Sequence, residues 1–295
     1  MKHFKSYFTP LINLYWATLS TILSDRNYIR ALYKHRFGKS INLDSPKTFN
    51  EKLNWLKLYG RNPRYTMMAD KYEVKKIVAD LIGEEYVVPC YGVWNTIDEI
   101  DFDKLPNQFV VKATHDSSGA LVCRDKSTFD VDAAKKHYHD IMKRNWFYQL
   151  REWVYKDIKP RMIVDKFLDD HSGHELRDYK FMCFNGEPKV MYCTNKAKDV
   201  YENFYDMDFN ILDIDHGFRR HIPEFTKPDN FELMKELAGK LSAGIPFVRV
   251  DFFDVDNHVY FGEFTFYDWA GMKPFRDDKW EEILGSWITL PTDNK

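Results

Sequence analysis

The chain has 295 residues, a formal net charge of −2 and 44% hydrophobic residues, enough apolar material for one large domain or two moderate ones. Aromatic residues reach 17%, a share that fits a packed core and excludes a disordered chain. The near-neutral charge balance excludes a global basic field, so no nucleic-acid partner is expected.

Residues 6–24 carry no charge and follow Lys2 and Lys5, which looks superficially like a signal peptide. Pro10, Asn13 and several hydroxyl residues interrupt the run, and no small-residue cleavage site follows. Phe8, Leu11, Ile12, Tyr15, Leu19 and Ile22 share one helical face. That leaves three readings: a helix packed on its own domain, a helix lying on a membrane surface, or a span or signal.

After the basic stretch RNYIRALYKHRFGK, Ser45-Pro46 opens a helix through Leu58, with Thr48 and Glu51 spaced as a capping box and Gly60 as its end. A second helix is expected from about Ala69 to Leu81, stopped by Gly83. YVVPCYGVW reads as a strand with a proline break, and FVVKATHDSSGALVC as strand, loop, strand. A polar helix follows around Val131 to Arg144, then the buried strand RMIVDKFL. DDHSGHE, with His171 and His174, reads as a loop. DYKFMCFNGEPKVMYC is a hairpin, with Asn185-Gly186 the strongest turn signal in the chain. A capped helix spans about Asn230 to Ser242, the strands PFVRVDFF and HVYFGEFTF follow, and a helix from Lys279 to Trp287 closes the chain. Helices first, then antiparallel hairpins with helices between them, is an α+β layout. Cys90, Cys123, Cys183 and Cys193 form no C-x-x-C pair and sit in strand-like contexts, so they read as buried free thiols.

Three groups of charged residues stand out. In the last two strands the pleat puts Val248, Val250 and Phe252 on one face and Arg249 and Asp251 on the other. A short turn centred on Asn257 sets Val250 against Phe264, Asp251 against Glu263 and Arg249 against Thr265; a one-residue slip mixes apolar and charged faces. Facing carboxylates about 4 Å apart repel by roughly 4 kcal/mol at an effective dielectric of about 20. A magnesium ion with substrate phosphates fits such oxygen ligands; the alternatives are that Arg249 neutralises the pair or that both side chains reach solvent. Lys112 lies in an apolar strand, where its ammonium either meets an anion or snorkels outward. The loop HDSSG after it is small enough for backbone N–H groups to approach a phosphate, although no Walker or dinucleotide glycine motif is present. Asp178 and Lys180 share one face of their strand, as a functional pair or as an exposed edge pair.

Taken in order, these pieces resemble the ATP-grasp superfamily: a lysine strand with a flexible hairpin, a hinge strand, a D-x-[RK] strand, then R-x-D and E-x-[NT]. PKTFNEKLNWLKLY, ADKY, IGEEYVVP, LPNQFVVKATHDSSG, LRDYKFMCFNGEPK, FVRVDFF and YFGEFTF are similar to the TupA-like ATP-grasp proteins of teichuronopeptide and surface-polysaccharide gene clusters, over roughly residues 40–290.

The resemblance implies two α+β subdomains with antiparallel sheets gripping ATP, behind a helical N-terminal extension. The layout is an extension over 1–60, an α/β part over 61–108, a lid over 109–165 and a metal-bearing subdomain over 166–295. It implies ATP and Mg2+ as cofactors. Lys112 would hold the α- and β-phosphates under a flap of His115, Asp116, Ser117, Ser118 and Gly119. Asp165, Lys166 and Leu168 would form the adenine hinge, and Glu175 or Asp178 would reach the ribose. Lys180 would face the transferred phosphate, Arg249 would stabilise phosphoryl oxygens, and Asp251, Glu263 and Thr265 would hold magnesium. Thr265 stands where Asn is usual, which weakens a two-metal site, and Asp165 where Glu is common. The activity implied is a carboxylate–amine ligase working through an acyl phosphate, joining an amino acid to a sugar acid in surface-polysaccharide assembly. Its partners would be a small-molecule or glycan carboxylate and an amine. Its location would be cytoplasmic, with the N-terminal helix available for peripheral contact with the inner membrane face. A sugar kinase or a glycosyltransferase of the same biosynthesis is the alternative, and a non-catalytic adaptor would leave the buried charges unexplained.

Overall fold

A computed structural model describes residues 14–117, 119–171, 176–195, 201–218 and 225–291. Its backbone is helical over 14–22 (α1) and again over α2 (Asp25–Phe37), which Ser24 caps and Gly38, at φ 69°, ends. Of the apolar face expected here, Leu19 packs with Trp16 and Leu23 against Tyr28, Ile29 and Leu32. Tyr15 and Ile22 remain 59% and 69% exposed, while Phe8, Leu11 and Ile12 lie outside the described residues.

Helix α3 (Phe49–Tyr59) starts at Thr48 and not at Ser45. The reason is Glu51, whose carboxylate accepts from the backbone of Asn42, Lys47 and Thr48 and holds the preceding residues as a loop. The helix expected from about Ala69 to Leu81 begins only at Glu73, as α5 (Glu73–Ile82), and a separate helix that was not expected, α4 (Pro63–Ala69), precedes it. Asp70 Oδ1 takes the N–H groups of Tyr72 and Glu73, which caps a new helix and breaks the old one.

Strands β1 (Cys90–Trp94), β2 (Phe109–Ala113), β3 (Leu121–Cys123) and β4 (Met162–Lys166) form an antiparallel sheet in the order β1-β4-β2-β3. Helices α6 (Val131–Ile141) and α7 (Phe147–Leu150) lie between β3 and β4 in the chain. Phe109, Val111 and Ala113 pack into a core with Tyr138, Ile141 and Val164, leaving Lys112 on the other face of β2.

The second sheet holds β5 (Tyr179–Phe184), β6 (Glu187–Asn195), β7 (Tyr201–Tyr205), β8 (Ile211–Leu212), β9 (Phe247–Val255) and β10 (His258–Thr265), in the antiparallel order β10-β9-β5-β6-β7-β8. Asn185-Gly186 makes its turn with φ 51° and 89°, as the type I′ hairpin requires. Strands β7 and β8 were not expected, because polar Glu202 and Asn203 interrupt the apolar signal. Helix α8 (Phe231–Ser242) covers one face through contacts such as Phe231 on Phe181. All four cysteines are free and lie in strands, three of them buried.

Helix α9 (Lys279–Trp287) crosses α3 at Gly285, where an added Cβ would lie 2.7 Å from the backbone N of Phe49. Gly285→Ala is therefore expected to cost about 1–3 kcal/mol by overpacking, seen as a lowered thermal midpoint; an unchanged midpoint would show that the crossing can yield. The two sheets meet where Val87 bridges Phe261 and where Val88 and Leu168 pack on Val255. This junction brings the segment after β4 against the β9–β10 hairpin.

Candidate active site

Register places Glu263, Asp251, Lys180, Tyr192 and Phe204 in one row across β10, β9, β5, β6 and β7, on the face opposite α8. Asp251 faces Glu263, Val250 faces Phe264 and Arg249 faces Thr265, as the pleat requires. The hairpin reaches this pairing by an unforeseen route. Its turn is the two-residue Asp256-Asn257, with φ 53° and 59°, and it pairs Phe252 with Phe261. An irregularity at Gly262 then shifts the ladder by one residue and brings the acids opposite each other.

Arg249 is the cation between those acids. It grips Asp251 in a fork, Nε to Oδ1 at 2.7 Å and Nη2 to Oδ2 at 2.6 Å, and donates to Glu263 Oε1 at 3.2 Å and to Asp268 Oδ1 at 2.7 Å. Burial alone would depress its pKa, but Asp251, Tyr192 and Asp268 hold it well above the ordinary arginine value. Burial pushes the Asp251 carboxyl up to about 6, with Arg249 and Lys180 pulling the other way, so it is ionised at neutral pH. Lys180 donates to Asp178 at 2.6 Å and lies 3.9 Å from Asp251. The Asp178–Lys180 pair is thus on one face, and since β5 is flanked by β9 and β6 it is no exposed edge pair. Thr265 is partly buried beside Glu263 on the same face of β10.

On the first sheet Lys112 meets an anion of its own protein: Nζ donates to Asp165 Oδ2 at 2.9 Å. Lys75 of α5 stands 3.0 Å from the other oxygen. Burial would raise the Asp165 pKa, yet Lys112 and Lys75 bring it below the usual carboxylate value. Two ammonium groups around one carboxylate leave a positive excess. Lys166 is exposed, with its N–H on Pro89 O, and Leu168 is buried at the junction of the sheets.

The loop after β2 turns two of its side chains inward. His115 is buried against Ile141 O at 3.3 Å, and burial lowers its pKa. Asp116 is buried, accepts from Trp146 Nε1, and its backbone oxygen accepts from Lys71 Nζ at 2.6 Å. What the loop offers outward is exposed Ser117 and the backbone at Gly119, where φ is 90°. Ser118 and Glu175 lie outside the described residues.

Three residues of the arrangement escaped the sequence reading. Asp268 lies in a turn where Trp269 and Ala270 have φ of 47° and 54°, and neither residue signals a left-handed turn. Tyr192, whose hydroxyl donates to Asp268 at 2.8 Å, looks like one more aromatic of β6. Lys75 looks like part of a solvated helix face.

With this geometry in view, a family model described as TupA-like ATPgrasp matches residues 51–289. The chain belongs to the TupA-like ATP-grasp family. Its two antiparallel sheets with helices around them are the ATP-grasp architecture expected from the order of its motifs. Similar solved structures include the D-alanine–D-alanine ligase from Bacillus anthracis complexed with ATP, at 14% identity and TM-score 0.40, covering 68% of this chain and 53% of that one. The D-alanine–D-alanine ligase from Helicobacter pylori shares 16% identity at TM-score 0.40, over 82% and 69% of the two chains. Phosphoribosylamine–glycine ligase from Thermotoga maritima shares 16% at TM-score 0.39, over 68% and 48%. The TupA-like chain thus spans about half the length of the first and third of these. No functionally curated protein matches it.

Proposed function

We propose that this TupA-like protein is an ATP- and Mg2+-dependent carboxylate–amine ligase that joins an amino acid to a sugar acid or related group in surface-polysaccharide assembly. The observation that supports it best is the cross-strand row in which Asp251 faces Glu263 beside Lys180, with Arg249 gripping both acids, in a chain of an ATP-grasp family. The residues suit a magnesium ion. Asp251, Glu263 and Thr265 offer only oxygen, and the Glu263 side chain is 43% exposed and shares the longest of the Arg249 hydrogen bonds. Among the described residues no group of three acids, histidines or cysteines is placed to hold a metal, and Arg249 occupies both Asp251 oxygens, so a magnesium ion would have to displace part of that fork and complete its shell from phosphates and water. When bound, it would supply charge neutralisation to the phosphate oxygens.

The protein's own groups then have these roles. Lys112, backed by Lys75, balances the α- and β-phosphates, with the backbone at Ser117 and Gly119 facing them. Lys166 and Leu168 flank adenine, and Asp178 reaches the ribose. The substrate carboxylate attacks the γ-phosphorus and ADP leaves; Lys180 and Arg249 carry the charge that develops, so catalysis is positioning and electrostatics. The acceptor nitrogen attacks the acyl carbon, inorganic phosphate leaves and the nitrogen loses its proton. No described helix is long and apolar enough to cross a membrane; the exposed Tyr15 and Ile22 suit a peripheral contact with the inner membrane face.

The test is a screen for ADP and free phosphate with ATP, magnesium, amino acids and sugar acids. Glu263→Ala and Lys112→Ala are each expected to lower amine-dependent phosphate release at least about 100-fold. Turnover like wild type in either variant sinks the assignment, and ADP without free phosphate marks a kinase. A pH series gives a second check. The folded pKa of Asp251, about 6, lies above its ordinary 3.8. The unliganded fold therefore loses stability as pH rises through that window, while the ion needs the carboxylate. Stabilisation by MgADP should grow between those values; a flat profile removes Asp251 from the ligands.

A further inference from the structure

Beyond the Arg249 centre, the same face of the second sheet carries polar atoms that the fold buries and leaves without a partner. Asp268 is 1% exposed; its Oδ1 accepts from Arg249 and Tyr192, but its Oδ2 has no hydrogen bond. Glu202 is 4% exposed; its Oε2 lies 3.2 Å from His216 Nδ1, while its Oε1 has no hydrogen bond. Thr194 stands directly across from Glu202 in the β6–β7 ladder, and its buried hydroxyl is likewise unpartnered. Because Tyr192 and Thr194 are two residues apart on β6, as Glu202 and Phe204 are on β7, all four side chains share one face.

A buried oxygen without a donor is unfavourable, and native folds retain few of them. Here there are three: one on Asp268, which Tyr192 holds, and two on the Thr194–Glu202 pair next along the β6–β7 ladder. The charges agree with the geometry. Asp178, Glu202, Asp251, Glu263 and Asp268 are five carboxylates, and Lys180 and Arg249 are already engaged by four of them. Lys273, whose charge both Glu202 and Asp268 feel, holds its ammonium over the rings of Phe218 and Trp269, at 3.2 and 3.9 Å from their centroids. The edge of this patch is the left-handed turn of Trp269 and Ala270, with Trp269 41% exposed. Backbone strain of this kind concentrates at ligand sites.

We propose that Glu202, Asp268 and Thr194 form the subsite that receives the acceptor as a primary ammonium, one guanidinium away from the reacting centre, and that the ammonium passes one proton to the Glu202 or Asp268 carboxylate before its nitrogen, now with a free lone pair, moves to the acyl carbon. An ammonium carries three N–H donors for the unpartnered oxygens and one positive charge for the surplus acid. Asp268 ties the subsite to the chemistry, since Arg249 holds Asp268 through Nη1 and Asp251 and Glu263 through Nη2. The inference rests on the ligase reading for the word acceptor, but the binding claim stands on its own measurement.

That measurement is a thermal melt of the full chain with ethylammonium chloride, against tetramethylammonium and sodium chloride at matched ionic strength. Ethylammonium is expected to raise the midpoint by about 3 °C at roughly ten times its Kd. Tetramethylammonium, with the same charge and no donors, should act as sodium does. Glu202→Gln should weaken ethylammonium at least about tenfold and Thr194→Val about threefold. If Glu202→Gln fails to fold, Thr194→Val, which keeps the shape of the side chain, carries the test. Equal shifts from ethylammonium and tetramethylammonium, or wild-type affinity in the folded variants, overturn the subsite. Phosphate release separates the two claims. Glu202-dependent ethylammonium binding without amine-dependent phosphate release keeps the subsite and removes the ligase; release without Glu202-dependent binding does the reverse.

Discussion

Arg249→Met should lower the thermal midpoint by roughly 6–15 °C and reduce turnover about 1000-fold. Arg249 is 8% exposed and bonded to Asp251, Glu263 and Asp268, of which Asp251 and Asp268 are themselves buried. Removing one partner of a buried pair costs about 3–5 kcal/mol, chiefly because the surviving charge is left without compensation. The acids have one escape, which is to take up protons. Asp251 already stands at about 6 with Arg249 beside it, and loss of the guanidinium moves it further up. The damage should accordingly be small at pH 5 and large at pH 8. Arg249→Lys keeps the charge but cannot reproduce the fork on Asp251, so it should recover part of the stability and little of the activity. An Arg249→Met protein that melts like wild type at pH 8 would remove this residue from the centre of the network.

The parts of the site legible in the sequence are those fixed by strand periodicity. Asp251 had to face Glu263 because any other register buries charge among Val250 and Phe264, and the fold found that register even though its turn is offset and a bulge corrects it. Asn185-Gly186 and the helix from Lys279 to Trp287 stand where the sequence puts them, since their signals are local. What stayed hidden depends on distant contacts. His115 and Asp116 read as a polar flap because nothing nearby in sequence shows that α6 and Trp146 draw them inward. Asp268 joins the row only because the turn that carries it is held from elsewhere.

That turn is held by α3, and the second large effect is expected there. Lys57→Met should cost about 3–5 kcal/mol and abolish turnover although Lys57 lies far before β10 in the chain. Its ammonium is 1% exposed and donates to Ala270 O at 2.5 Å, Leu150 O at 2.9 Å and Asn54 Oδ1 at 3.1 Å. Asn54 in turn donates to Gly271 O at 2.7 Å. These bonds clamp Trp269 and Ala270 in the left-handed region, where a residue with a Cβ costs about 1–2 kcal/mol. Burial lowers the Lys57 pKa to about 8 and raises that of Glu152 to about 7, each opposing the other's shift; the lysine is therefore still charged at neutral pH. Methionine fills the space but gives Ala270 O and Leu150 O no donor, and leaves Glu152 without its cation. The strained turn should then relax and carry Asp268 off Arg249. Ala270→Gly separates the causes, because glycine accepts φ near 54° without strain. On the Lys57→Met background it should recover about 1 kcal/mol if turn strain is part of the loss. A double variant no more stable than Lys57→Met alone would assign the whole effect to the unpaired carbonyls and Glu152.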